Sequence, residues 1–262
     1  PVQNTTGNII AYNDISRTMT DSQDGAPIHV GGIGPGNSIT GNRIHHSDLA
    51  FSYGNGIYLD ITNMQTTVSD NVIHDLQQST PEGITYAAIH VTGDGANVVN
   101  NVVAGNRLNT AAVNIVATQE SEAHLPTRNT TVKRNIFSRN RVSNVYAFPE
   151  FDESQLALAD LNLFHHPAGM YTVGFNWDAI TYFDPRQETL AQWRERHDRR
   201  HDQNSATADP RFVDFDRRDF RLRPDSPAYA LGFEDIDYAA MGLTAEFPFA
   251  TSSEPIDRLF VT

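Results

Sequence analysis

Residues 39–44, 68–73 and 98–103 read Ile-Thr-Gly-Asn-Arg-Ile, Val-Ser-Asp-Asn-Val-Ile and Val-Val-Asn-Asn-Val-Val. Each has a β-branched residue, then Asn three positions later, then an apolar residue two positions after the Asn. The same pattern surrounds Asn13 and Asn135, and a weaker copy contains Asn162. The Asn positions 13, 42, 71, 101, 135 and 162 give steps of 29, 29, 30, 34 and 27. Self-similarity at a period of about 30 residues indicates a solenoid.

A second set of short apolar segments interleaves with the Asn motif. Its members are Ile28-His-Val30, Ile57-Tyr-Leu59, Ile89-His-Val91, Val113-Asn-Ile115 and Val145-Tyr-Ala147. These segments alternate as half-buried strands do, and Gly and Asn between them favour turns. Helical periodicity is absent before residue 185 and Leu has no fixed spacing, which excludes helical arrays and leucine-rich repeats. We therefore predict an all-β, right-handed parallel β-helix of about six rungs.

The recurring Asn has a structural explanation. A side-chain amide at a tight corner can bond to the same Asn one rung away, so that successive rungs form a ladder. We assign this role to Asn13, Asn42, Asn71, Asn101 and Asn135.

The repeat weakens after residue 150. We expect β-helix rungs in 1–150, a last rung with a helical excursion and a C-terminal closing segment of the same domain in 151–247, and a tail in 248–262. Thr189 and Gln192 have the spacing of a capping box and predict a helix start.

Composition restricts the partners. A formal charge of −13 with a single lysine argues against nucleic acid. No apolar run approaches the ~18 residues that a membrane span needs, so we expect no membrane partner. The chain has no Cys, which excludes disulfides and Cys-based sites. We predict no cofactor and no metal site, because His197 and His201 lie in a charged run typical of a solvated surface.

Strand alternation predicts a polar patch. If Ile28, Ile57, Ile89 and Val113 point inward, the following residue in each strand points outward. The predicted outward column is His29, Tyr58, His90, Asn114 and Tyr146. Asp60 lies two residues beyond Tyr58, and Asp24 precedes the first of these strands. Because rungs stack about 4.8 Å apart, these acidic, basic and aromatic groups should form one cluster.

Several longer stretches resemble a known group of proteins. They are Asp24–Asn37, Gly54–Asp60, Asn71–Asp75, Asp209–Asp214 and Phe220–Ala228. Over residues 8–243 the chain is similar to the secreted right-handed β-helix proteins of carbohydrate-degrading bacteria. The most similar type is the β-helix glycoside hydrolase group with fucosidase and xylanase members.

The resemblance implies a function and a location. In that group two segments each bring one Asp to the groove, and the matching residues here are Asp24 and Asp60. The resemblance therefore implies a secreted or periplasmic glycoside hydrolase acting on a poly- or oligosaccharide through these two carboxylates. His29, Tyr58, His90, Asn114 and Tyr146 are then the predicted sugar-binding residues.

Two other functions remain open from the residues alone. A lyase or C5-epimerase acting on a uronate would use Tyr58 and His90 as acid and base, although the predicted column contains no Arg. A non-catalytic solenoid would hold sugar without cleaving it. The β-helix proteins of this type also begin with a long N-terminal part, whereas here the repeat starts by residue 8. We expect an N-terminal companion chain or segment to complete the β-helix.

Overall fold

The computed structural model describes residues 5–32, 34–49, 54–61, 63–78, 87–108, 111–116, 125–141, 144–148, 152–167, 172–175 and 187–244. Within these ranges the chain is all-β apart from short helices, and its strands stack as a parallel β-solenoid. The predicted fold class is therefore confirmed. The predicted tail, 248–262, lies outside the described residues. None of the helices that are described has the length and apolar character needed to cross a membrane.

Apart from a separate two-stranded hairpin near the C-terminus, the described strands form three stacked sheets. Sheet 1 contains β1 (Ile9–Ala11), β4 (Ser38–Thr40), β7 (Thr67–Ser69), β10 (Asn97–Val99), β13 (Thr130–Lys133) and β16 (Leu156–Asp160). Sheet 2 contains β2 (Asp14–Ser16), β5 (Arg43–His45), β8 (Val72–His74), β11 (Val102–Ala104), β14 (Ile136–Ser138), β17 (Leu163–His165) and β20 (Ala206–Thr207). Sheet 3 contains β3 (Ile28–Val30), β6 (Asn55–Leu59), β9 (Ala87–Val91), β12 (Ala111–Ile115), β15 (Asn144–Phe148), β18 (Thr172–Phe175) and, antiparallel to β18, β19 (Gln187–Thr189).

The predicted inward positions form the core. Ile39 pairs with Val68 in sheet 1, and Ile57 pairs with Ile89 in sheet 3. All four side chains are at most 1% exposed. The period-2 alternation of each strand thus supplies one apolar layer per rung, and stacking these layers fills the interior without helices. On the first rung Ile10 is only partly buried. The companion chain expected there remains a prediction.

An Asn ladder joins the rungs at the corner between sheets 1 and 2. The Oδ1 of Asn101 accepts from the backbone N and the Nδ2 of Asn71, both at 3.0 Å. The Asn101 Nδ2 donates to the Oδ1 of Asn135 and to the carbonyl of Val68, both at 2.9 Å. The same bonds connect the remaining members, in the order Asn13, Asn42, Asn71, Asn101, Asn135 and Asn162. The predicted ladder is confirmed.

The residue before each ladder Asn has a left-handed backbone. These residues are Tyr12, Gly41, Asp70, Asn100, Arg134 and Leu161, with φ between 56° and 65°. A non-glycine residue in this conformation costs roughly 1 kcal/mol or more. The amide of the following Asn offsets that cost, because its Oδ1 accepts from the backbone N–H of the ladder Asn one rung earlier and its Nδ2 donates to main-chain carbonyls.

Similar side-chain bonds at the other corners were not expected from the sequence. Asn8 bonds to Asn37 at 2.7 Å, and Asn106 bonds to Asn140 at 3.1 Å. The Asn106 carboxamide also donates to the carbonyl of Ile73 at 3.0 Å. These shorter ladders escape detection because they contain only two Asn residues each.

The last rung is covered by the predicted helix. The capping box is present at its start, where Thr189 and Gln192 bond reciprocally. The helix α1 (Leu190–Glu195) is one to two turns long and buries Trp193 completely. The indole N–H donates to Asp202 at 2.9 Å. Burial raises the pKa of Asp202, and the bonds that it accepts oppose this rise.

The C-terminal strap, which we define as residues 212–242, packs along the outer face of sheet 2. It contains a hairpin of β21 (Phe212–Asp214) and β22 (Asp219–Leu222). Phe220 and the strap's later apolar residues form a second core with the outward side chains of β8, β11, β14 and β17. At its end the Gly242 N–H donates to the carbonyl of Tyr12 at 2.7 Å. The strap therefore runs from the last rungs back to the first.

The ladder leads to a stability prediction. Asn101 is fully buried and its amide is bonded at both atoms, so Asn101→Ala removes the acceptor of the Asn71 backbone N–H and the side-chain bonds to Asn71 and Asn135. We expect a loss of about 2–4 kcal/mol in the free energy of unfolding, measured by urea denaturation. Asn97→Ala is the matched control, since Asn97 is half-buried with one long bond to Gly95. It should cost less than about 1 kcal/mol, and equal losses in the two variants would contradict the ladder's role.

Candidate functional site

Sheet 3 carries the predicted polar column on its outer face. His29 pairs with Tyr58, Tyr58 with His90, and His90 with Asn114. The four side chains therefore occupy equivalent positions on four successive rungs. This part of the predicted column is confirmed as a structural arrangement.

The fifth predicted member does not belong to the column. Tyr146 pairs with Val113, so that Ala147 takes the position beside Asn114. Tyr146 is 1% exposed and packs against Phe137, Phe164 and Trp193 inside the solenoid. The prediction that Tyr146 faces the groove is wrong, because the rung is longer here and β15 pairs one residue out of the assumed register.

The three ring residues pack on one another across the rungs. The rings of His29 and Tyr58 are stacked, with centroids 4.5 Å apart and an interplanar angle of 11°. His90 meets the other side of Tyr58 edge-on, also at 4.5 Å. Tyr58 is 7% exposed and His90 4%, whereas the His29 side chain is 36% exposed. His29 is therefore the accessible ring of the stack.

Asp60 closes the cluster at the end of β6. Its Oδ2 lies 3.2 Å from Nε2 of His29, and its Oδ1 accepts from the backbone N–H of Ile61 at 2.7 Å. The Asp60 side chain is 26% exposed. One oxygen thus faces the accessible histidine while the other is fixed by the main chain.

Asp24 approaches the same cluster from the preceding rung. It is an exposed residue with φ 51°, directly before Gly25, which bridges to Gly54 beside β6. Burial raises the pKa of Tyr58 above its ordinary value, and the charges and hydrogen bonding of Asp60 and Asp24 raise it further. Both carboxylates therefore act on one phenol hydroxyl, which stays protonated as a donor at neutral pH.

His90 and Asn114 lie beneath the accessible surface. Burial lowers the pKa of His90 to about 4, so its imidazole is neutral at physiological pH. The Asn114 amide lies 3.2 Å from Nδ1 of His90, which makes this nitrogen the acceptor and leaves the proton on Nε2. The Asn114 Oδ1 is buried and accepts no hydrogen bond from the residues that the structure describes.

A histidine cluster on the outside of sheet 2 was not predicted from the sequence. The rings of His45 and His74 stack at 5.1 Å, and ligand atoms of His46, His74 and Asp75 lie within 4.8 Å of one another. These three residues are the described group most suited to hold a metal. However, Arg218 bonds to both oxygens of Asp75, at 2.5 and 2.7 Å, so a cation would compete with this guanidinium. His45-His46 and His74-Asp75 occupy equivalent positions in the repeat, which was the available signal.

His201 also has a structural environment. It is 1% exposed, its ring stacks on Trp193 at 5.4 Å, and its Nδ1 accepts from the backbone N–H of Ala159 at 3.2 Å. This residue therefore packs beneath the end of the solenoid rather than on the solvated helix face that the sequence indicated.

Comparisons with known proteins found no match for the chain. No family model matches the chain, and no curated protein or solved structure is similar enough to match it.

Because His90 is buried, we predict that the free energy of unfolding depends on pH. Its pKa is about 4 in the folded chain and about 6.5 in an unfolded one. Between these values the unfolded chain binds more protons, so the free energy of unfolding falls as the pH is lowered from about 6.5 to 4. The contribution of His90 is at most about 3 kcal/mol.

Urea denaturation over this pH range measures the effect. His90→Gln should flatten the profile relative to the native sequence. His46→Gln is the control, because the His46 side chain is 56% exposed. Identical profiles for the native chain and His90→Gln would show that burial does not control this titration.

Proposed function

We propose that this chain is a glycoside hydrolase that cleaves a poly- or oligosaccharide between Asp24 and Asp60. The observation that carries the proposal is that Asp60 lies 3.2 Å from Nε2 of His29, whose ring stacks on Tyr58, while the exposed Asp24 precedes the strand of His29. Glycoside hydrolysis needs two carboxyl groups at one bond, one to protonate the leaving oxygen and one to act as nucleophile or base. Such a substrate implies a secreted or periplasmic location.

The surroundings of the two carboxylates favour different roles. Asp60 has a partner at each oxygen, His29 at one and the Ile61 N–H at the other. These bonds fix the orientation of a carboxylate that attacks the sugar or activates water. Asp24 is exposed and lies at the edge of the cluster, where it can reach a leaving-group oxygen. We therefore assign Asp60 as nucleophile or base and Asp24 as acid.

Tyr58 and the imidazoles support this chemistry. A phenol whose pKa is raised donates a hydrogen bond and is a poor base. The lyase alternative is disfavoured by position, because His90, which would act as its base, is only 4% exposed beneath the ring stack. His29 presents the accessible ring on which a sugar can rest. His90 is buried and orients the Tyr58 ring, and the buried Asn114 amide in turn holds His90 at its Nδ1.

The test is hydrolysis of a panel of neutral and acidic polysaccharides, followed as release of reducing ends. Asp24→Asn and Asp60→Asn should each lower kcat by roughly 10²–10⁴-fold, because each removes an acid–base or nucleophilic group. Tyr58→Phe should lower activity less than either. Asp21→Asn is the matched control, an exposed aspartate in the same loop as Asp24, and should leave activity unchanged.

Three outcomes would overturn the proposal. Near-native turnover in both Asp24→Asn and Asp60→Asn would show that neither carboxylate has the assigned catalytic role. Products with an ultraviolet-absorbing unsaturated end would identify a lyase. Binding of an oligosaccharide without cleavage, unaffected by Asp60→Asn, would identify a non-catalytic solenoid.

A further inference from the structure

A second polar cavity lies away from sheet 3, where the chain turns out of sheet 2 beneath the C-terminal strap. It has a volume of about 490 Å³ and is lined by the side chains of Arg107, Arg139, Arg141 and Arg218 and by Phe215 of the strap. Four arginines in one cavity are unusual in a chain with 32 acidic and 19 basic residues. The proposed hydrolase makes no use of them.

The ladder of the β-helix brings two of these arginines together. Arg107 forms a parallel bridge with Gln77, and the Arg141 N–H donates to the carbonyl of Asn106 at 2.7 Å. Gln77, Arg107 and Arg141 thus occupy one position on three successive rungs. Because rungs are about 4.8 Å apart, the repeat holds two like charges side by side. Two adjacent positive charges repel each other unless a bound anion contacts both of them.

The charges in this cavity are poorly compensated. Among the described residues Arg107, Arg139 and Arg141 form no ion pair with a carboxylate, and all three are exposed. The Arg139 guanidinium lies over the Phe215 ring, 4.4 Å from its centroid. Asp75, the acidic residue of the lining, is already bound by Arg218. The cavity therefore carries a net positive charge within a strongly acidic protein.

We propose that this cavity binds the carboxylate or sulfate groups of an acidic oligosaccharide. Guanidinium groups bind such planar or tetrahedral oxyanions through paired hydrogen bonds. The size of the cavity suits one or two sugar residues. A long polyanion such as nucleic acid is disfavoured, because the rest of the surface would repel it. That the anion belongs to a sugar rests on the proposed function; the anion site itself does not.

Calorimetric titration of the full chain tests the site. Inorganic sulfate and a uronic-acid trisaccharide should bind, a neutral trisaccharide of the same length should not, and binding should weaken at high ionic strength. A sulfated disaccharide distinguishes sulfate from carboxylate as the preferred group. Arg107→Gln and Arg141→Gln should each weaken acidic-sugar binding by roughly tenfold or more.

The control variant is Arg200→Gln, which changes an exposed arginine outside the cavity and should leave binding unchanged. Sulfate should raise the Tm of the native chain but not that of the Arg107→Gln/Arg141→Gln variant. A cooperative thermal transition of the double variant also shows that it folds. Unchanged affinity in the double variant would overturn the site. Tighter binding of a short oligonucleotide than of the acidic sugar would overturn the ligand class.

These measurements are separable from the hydrolase test. Asp60→Asn should bind sulfate and the acidic trisaccharide like the native chain. A chain that binds the acidic sugar but hydrolyses nothing would contradict the proposed function alone. A chain that hydrolyses neutral glycans but binds no anion would contradict the cavity alone.

Discussion

The bond between Asn side chains on successive rungs is the constraint on which the rest of this structure depends. Each rung turns sharply between sheets 1 and 2 through a left-handed residue, in most cases not a glycine. The following Asn satisfies the backbone that the turn exposes and binds the next Asn. Local strain and rung-to-rung attachment are therefore resolved by one side chain. With this corner fixed, the strands of sheets 1 and 2 that flank it stay aligned from rung to rung.

The register between strands of successive rungs decides which chemical groups become neighbours. Because equivalent positions stack about 4.8 Å apart, residues 29 to 32 apart in sequence become ring neighbours in sheet 3, as His29, Tyr58 and His90 do. The same rule aligns His45 with His74 in sheet 2 and Arg107 with Gln77 at the next corner. A solenoid thus makes clusters from a repeated position, and substituting that position changes one rung of the cluster while the scaffold persists.

The sequence predicts the features that depend on the repeat period of about 30 residues. It predicts little of what depends on contacts between segments far apart in the chain. The Asn ladder, the outward run from His29 to Asn114 and the Thr189 capping box are local or periodic signals, and the structure contains them. Tyr146 was misplaced because a longer rung shifts the pairing by one residue, which spacing alone cannot reveal. The strap's position on sheet 2 depends on contacts between residues more than 100 apart, such as Asn100 with Glu234, and no repeat encodes them.

The strap also changes how such a molecule should fold. A solenoid whose units touch only their neighbours can lose rungs from either end in steps, since its stability is a sum of local terms. Here the backbone at residue 242 is bonded to the first rung at Tyr12, and the strap's apolar residues contact several rungs in between. Fraying of an end rung would therefore also pull part of the strap away from the rungs that remain folded. The strap therefore couples distant rungs, favours all-or-none unfolding, and raises the contact order that slows folding.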